Sequence, residues 1–286
     1  MSFNGFIIIN KEKGISSAAA LSVVKGVIKC KAGHLGTLDP EAEGVLPVAL
    51  GKATKLFDYL IDKQKTYIAE ITFGSTTDTL DCAGTVTATC VNLPDKKAIT
   101  EALQGLTGEI MQVPPQYSAL STGGVKAYAL ARRGIEANLA ARKVTVYSFK
   151  LLYKKEANVY GFEIVCGAGT YIRALARDLG KAVDSLAYMS KLVRTKSGFF
   201  EIAKSATLEK IKEDYKKYLI SIEEPLAHLP AYRAEEKHFK HLTNGLNITL
   251  EGMPKGLFRL YCGEYFLGLA QEQEEKIAIK YYLYDE

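Results

Sequence analysis

RKVTVYSFKLLYK, residues 142–154, and YGFEIVCGAG, residues 160–169, are rich in β-branched and aromatic residues and are separated by a short polar break. Runs of that composition, bounded by turn residues, read as strands. With so little chain between them they pair antiparallel, because a parallel partner needs a long crossover. The second run leads into YIRALARDLGKAV, residues 171–183, where Ile172, Leu175, Ala176 and Leu179 recur at helical spacing and supply a buried stripe.

The same alternation extends in both directions. FIIIN, residues 6–10, reads as a strand, and SAAALSVVKGVIK, residues 17–29, as a helix with Leu21, Val24 and Ile28 on one face and Ser17 as N-cap. GKATKLFDYLID, residues 51–62, is a short helix. KTYIAEITFG, residues 65–74, places Tyr67, Ala69, Ile71 and Phe73 on one strand face. GTVTATCV, residues 84–91, is a further strand, DKKAITEALQGL, residues 95–106, a helix capped by Asp95, and VPPQYSAL, residues 113–120, a proline-fixed loop. KAYALARRG is a helix closed by Gly134. The fold expected is α+β: a mixed, mostly antiparallel sheet with flanking helices. Pro225 and Pro230 bracket a linker, so residues 1–225 form one domain and residues 226–286 a small β-rich one.

Composition narrows the class. A chain of 286 residues, 48% hydrophobic and 24% charged, buries a full core, and its formal charge of +5 is only a mild basic excess. Cys30, Cys82, Cys90, Cys166 and Cys262 are odd in number and scattered, with no CxxC pair, which fits a reduced, cytoplasmic protein. The opening MSFNGFIIINKEKG has too short an apolar run, with no basic segment ahead of it, for a signal peptide. No stretch is long enough to span a bilayer.

The unusual loop is KAGHLGTLDPEAEGVLP, residues 31–47. Asp39 as N-cap, Pro40 at the first helical position, Glu41 and Glu43 in the first turn and Gly44 as a stop spell the start of a helix. Only about one turn fits between cap and stop, too little for a stable element. A structural cap and a reactive carboxylate both remain open for Asp39. Arg173 raises a second question, because it falls in the first turn of its helix, where the backbone dipole disfavours a cation. It either reaches solvent or meets a carboxylate, and Tyr171 stands beside it if the chain is still extended there.

GHLGTLDPEAEGVLPVALGKATK, residues 33–55, closely resembles the signature loop of the TruB family of tRNA pseudouridine synthases, GHxGTLDPxAxGxLPxxxGxATK. KTYIAEITFG, STTDTLDCAG, VPPQYSAL, KAYALARRG, GTYIRALARDLG and LVRTKSGFF resemble the family's other blocks in order, so the likeness runs over about residues 3–225. The resemblance implies isomerisation of the uridine at position 55 in the T-loop of tRNA, with the base flipped out of its stack. It makes Asp39 the catalytic aspartate, a nucleophile or an electrostatic stabiliser, Arg173 its charge partner through charge-assisted hydrogen bonds, and Tyr67 the active-site tyrosine. His34 contacts the T-loop, Asp81 lies by the substrate, Tyr171 belongs to the pocket and Leu192 packs beneath it. No metal or other cofactor is implied, since the substrate is only rearranged. The partner implied is tRNA, bound by a monomer through its T-arm, with the acceptor stem held by a PUA-like tail.

Three positions depart from the family pattern: Glu12 replaces a proline, and Ser121 and Val193 stand where lysine and arginine are common. Weaker phosphate contacts are expected there. His238 and His241 have the spacing to share a metal on a helix, but no further ligand completes a set, so a solvated face is the better reading. A non-catalytic RNA-folding protein would not need Asp39, Tyr67 and Arg173 together. A glycoside hydrolase would need a second carboxylate in a comparable loop.

Overall fold

The computed structural model describes residues 3–61, 63–245 and 248–284. The chain begins with β1 (Gly5–Lys11), α1 (Ser17–Ile28), β2 (Ala32–His34), β3 (Glu43–Leu50), α2 (Phe57–Ile61), β4 (Lys65–Phe73), β5 (Ser75–Thr77) and β6 (Val86–Thr89). It continues through α3 (Lys96–Gly105), β7 (Gly108–Gln112), β8 (Ser121–Thr122), β9 (Val125–Lys126), α4 (Ala127–Ala131), β10 (Arg142–Lys154), β11 (Val159–Cys166), α5 (Ile172–Ala182), β12 (Ala187–Ser197) and β13 (Phe200–Glu201). The remainder is α6 (Leu208–Asp214), β14 (Ala231–Ala234), α7 (Phe239–Thr243), β15 (Leu257–Cys262), β16 (Tyr265–Gln273) and β17 (Lys276–Tyr282).

The central sheet runs β1, β3, β12, β4, β11, β10, β7, with β2 added to β3 and β13 to β12. Its pairings are antiparallel except β3 with β12, so the sheet is mixed and mostly antiparallel. Strand parity explains how it is covered. Ile7, Ile9, Leu46, Val48, Ala69, Ile71 and Phe73 face one core, filled from above by Val24 and Ile28 of α1, Ile99 and Leu103 of α3, Leu175 and Leu179 of α5 and Ile211 of α6. Phe6, Ile8, Val45 and Ala49, on the opposite parity, face a second core. The FIII run of β1 is therefore continuous because both of its faces are buried.

Local structure departs from the sequence pattern at three places. Ser16, not Ser17, caps α1: its hydroxyl accepts from the Ala19 N–H at 3.1 Å, and Ser17 is the first helical residue. No helix starts at Asp39. A single turn, closed by Ala42 N–H donating to the Asp39 carbonyl at 3.1 Å, leads at once into β3. Gly44 is no helix stop; it sits at φ +97°, and a Cβ there would come within 2.3 Å of the Arg194 carbonyl. The glycine lets β12 approach. GKATKLFDYLID opens as a 3-10 turn over Gly51–Leu56 before α2, and its last residue, Asp62, lies outside the described residues.

The tail forms its own sheet in the order β14, β15, β16, β17. It is not detached. Leu226, Leu269 and Leu283 enter the same core as Phe6, Ile8 and Phe200, and Lys55 Nζ donates to the Tyr282 carbonyl at 3.0 Å. All five cysteines are free thiols, and no helix among the described residues is long and apolar enough to cross a membrane. Among them, too, no group of three potential ligands forms a metal site, and His238 and His241 lie at the junction of a 3-10 turn with α7.

Candidate active site

A cavity of about 700 Å³ opens where β3 and β4 begin and β11 ends, and Asp39, Tyr67, Asp81, Tyr171, Arg173 and Leu192 all line it. Residues far apart in sequence are thus brought to one place. His34 is the exception: it lies on β2, half-buried, outside the cavity lining, with Nδ1 inaccessible and without a hydrogen-bond partner. Burial, helped by the Arg194 charge, lowers its pKa.

Arg173 answers the question its position raised. Tyr171 is the extended N-cap of α5, and Arg173, already helical, turns back into the protein with its side chain only 6% exposed. Its Nε lies 2.9 Å from Asp39 Oδ2, and its Nη1 lies 3.6 Å from Asp81 Oδ2. Two carboxylates offset the charge at the helix start. The contact with Asp39 differs from the expected one. Nε has no aligned hydrogen bond, so the pair is held by charge, while Nη1 and Nη2 donate to the carbonyls of Thr79 and Tyr117, each at 2.9 Å. The guanidinium is locked by backbone and presents one edge to Asp39.

Asp81 does a different job. It is buried, and its Oδ1 accepts from the Thr79 hydroxyl at 2.6 Å and the Ala83 N–H at 3.0 Å. It fixes the turn that feeds Arg173 its carbonyl. Asp39, by contrast, keeps 38% of its side chain exposed. Tyr67 is 8% exposed on β4, beside Arg194 of the neighbouring strand. Burial raises its pKa, partly opposed by Arg194, so the phenol stays protonated. Burial likewise raises the Tyr171 phenol.

The loop that carries Asp39 is held by residues the sequence reading passed over. Arg194, 1% exposed, donates Nε to the Val45 carbonyl at 2.8 Å, Nη2 to Gly36 at 3.0 Å and Nη1 to Thr37 at 3.4 Å. Lys11, fully buried, donates to the carbonyls of Ile15, Glu12 and Pro40 at 2.8, 2.9 and 3.1 Å. Burial lowers the Lys11 pKa. The signal was available: Lys11 shares strand parity with Ile7 and Ile9, and Arg194 with Leu192, so each puts a cation on a buried face. Two departures also find their setting. Glu12 supplies only its carbonyl to Lys11 and exposes its side chain, while Val193 falls on the face of β12 away from Leu192 and Arg194.

The family model for "TruB family pseudouridylate synthase (N terminal domain)" matches residues 25–172, and that for "tRNA pseudouridylate synthase B C-terminal domain" matches residues 173–229. The chain belongs to the TruB family. It is a pseudouridine synthase, and hence an isomerase. The two models meet within the first turn of α5, so Asp39 comes from one and Arg173 from the other, although α5 and β12 are integral to the central fold. It is 38% identical over 279 residues to tRNA pseudouridine synthase B of Clostridium kluyveri, covering 95% of this chain and 96% of that one. Identity to the Dehalococcoides mccartyi protein of the same name is 42% over 260 residues, covering 88% and 86%. Among solved structures, a Cbf5-Nop10-Gar1 complex superposes with a TM-score of 0.72 at 26% identity, covering 98% of this chain and 84% of that one. An H/ACA RNP bound to a substrate RNA containing 2'-deoxyuridine shares the fold, with a TM-score of 0.73 at 24% identity and the same coverages.

Proposed function

We propose that this enzyme converts the uridine at position 55 in the T-loop of tRNA to pseudouridine. The observation that carries the reading is the half-exposed Asp39 carboxylate, held against the buried Arg173 guanidinium in an open cavity floored by Tyr67 and Leu192. The N1–C1′ bond breaks, the uracil turns, C5 bonds to C1′, and the proton on C5 is exchanged for one on N1. Asp39 either bonds to the sugar or base in the interval or stabilises the positive charge that develops there. Arg173, 2.9 Å away and locked by backbone carbonyls, fixes where that carboxylate stands. Tyr67 offers a ring to stack on the extruded base and a protonated hydroxyl to hydrogen-bond it. Tyr171 and Leu192 shape the walls of the pocket, and Asp81 lies by the substrate while holding the turn that includes Thr79.

The uridine is inaccessible in a folded T-loop, so it is flipped into the cavity. His34 on β2 faces the displaced loop, and its low pKa favours a neutral imidazole that packs against RNA. Residues 1–225 form the catalytic domain, and residues 226–286 form a PUA-like unit that grips the acceptor stem of tRNA. The enzyme acts as a cytoplasmic monomer with no metal or other cofactor.

Mapping pseudouridine at single-nucleotide resolution in unmodified tRNA treated with the purified protein tests the proposal. Modification confined to position 55 is the expected result; modification elsewhere, with position 55 untouched, would overturn the substrate assignment.

A further inference from the structure

Ser17 and Gln112 make an unusual kind of contact at the two arms of the Asp39–Arg173 pair. The Ser17 hydroxyl donates to the Leu38 carbonyl and accepts from the Leu38 N–H, both at 2.8 Å. The Gln112 carboxamide accepts from the Tyr171 N–H at 2.9 Å and donates to the Tyr171 carbonyl at 3.2 Å. Leu38 immediately precedes Asp39, and Tyr171 stands two residues before Arg173. Each side chain grips both polar groups of one residue across a long stretch of sequence, and each is buried, at 2% and 1% exposure.

Neither grip is needed for the element that supplies it. Ser16 already caps α1, so the Ser17 hydroxyl is released for the loop. Gln112 is held in β7 by its backbone pairing with Arg142. A single bond from a neighbour would satisfy one buried peptide group. Holding both groups of Leu38 fixes the backbone from which Asp39 leaves, and holding both groups of Tyr171 fixes the N-cap from which α5, and with it Arg173, starts.

We infer that Ser17 and Gln112 are positioning residues for the reaction, setting from opposite sides the geometry in which the Asp39 carboxylate meets Arg173 and the bound uridine. This rests on Asp39 being the reacting carboxylate. Neither residue lines the cavity, so neither touches substrate. Their effect is on the rate of the bound complex, where a displacement of about 1 Å costs on the order of a hundredfold.

The test is single-turnover pseudouridine formation on a tRNA transcript at saturating enzyme, with the dissociation constant measured in parallel for Ser17→Ala, Ser17→Cys and Gln112→Met. Ser17→Cys preserves volume, and it carries the test if Ser17→Ala does not fold. Rates normalised to the binding-competent fraction should fall about ten- to a hundredfold, while the dissociation constant stays within about twofold. Normalised rates within twofold of wild type would overturn the inference, because both residues would then serve folding alone. So would a loss seen only as weaker binding. Asp39→Asn, run alongside, keeps the two claims separate: if it retains turnover, the reading of Asp39 fails; if it is inactive while the three variants are fast, only the positioning role fails.

Discussion

The two sides of the cavity are anchored differently. On one, residues 36–40 are tied by Arg194, Ser17 and Lys11, all buried and drawn from β12, α1 and β1. On the other, residues 113–134 are joined to the body through Arg173 and Arg177 donating to the Tyr117 and Val113 carbonyls and through the Tyr117 hydroxyl donating to Asp78 Oδ2 at 3.4 Å. That rim leaves Val113, Val125 and Tyr128 more than 40% exposed. A loop pinned by buried charge keeps one geometry, whereas a rim with little buried surface opens at low cost. The first suits a reacting carboxylate, and the second suits a wall that closes on a bulky substrate.

Arg194→Met attacks the pinned side and should have the largest effect. It strands the Val45, Gly36 and Thr37 carbonyls, each costing about 1–3 kcal/mol when buried and unpaired. A large drop in the thermal midpoint together with loss of activity is expected; an unchanged midpoint would mean the loop needs no anchor. Arg173→Lys comes next. Lysine keeps the charge but cannot serve Asp39, Thr79 and Tyr117 from one plane, so turnover should fall about a hundredfold with a much smaller change in binding. Equal losses in both would make Arg173 a binding residue.

Tyr128→Ala probes the rim. An exposed aromatic at the cavity edge stacks on a base for about 1–3 kcal/mol, so RNA affinity should weaken about fivefold or more, with the saturated rate and thermal midpoint intact. A slow saturated rate would show that the rim is as catalytic as the pinned loop. The smallest effect is that of pH on His34. Its pKa in the folded protein lies below the unfolded value of about 6.5, so below that pH the unfolded chain takes up the proton first. Stability is therefore lost as pH falls through this window. The thermal midpoint of wild type should drop more between about pH 7 and pH 5 than that of His34→Gln; parallel curves would contradict the burial argument.

Much of this architecture could be read from residue patterns because it depends on local periodicity. The Arg142–Lys154 and Val159–Cys166 strands, the α5 stripe and the Asp95 cap of α3 all follow from side-chain spacing. The helix-start pattern at Asp39, left open in the sequence, goes unused for a physical reason. Asp-Pro followed by acidic residues is good helix-start chemistry, but β3 is buried on both faces and paired on both edges, and that tertiary gain outweighs a one-turn helix. Six of the seven candidate site residues meet at the cavity; the family blocks carry all seven, and His34 is set apart by its place on β2. Sequence pattern reads Ser17 only as a cap and passes over Gln112, because their partners are backbone atoms distant in sequence, which no local pattern names; for Lys11 and Arg194 the pattern offers a cation on a buried strand face but not the loop it holds.

The central claim is that the pinned loop exists to hold one carboxylate, and Asp39→Asn tests it most directly. The substitution keeps the shape and removes the charge, and Asp39 is half-exposed, so the fold is not at stake. Single-turnover pseudouridine formation on tRNA, measured with the dissociation constant of the same complex, should show no detectable product and binding within a fewfold of wild type. Substantial product from the purified variant would contradict the account.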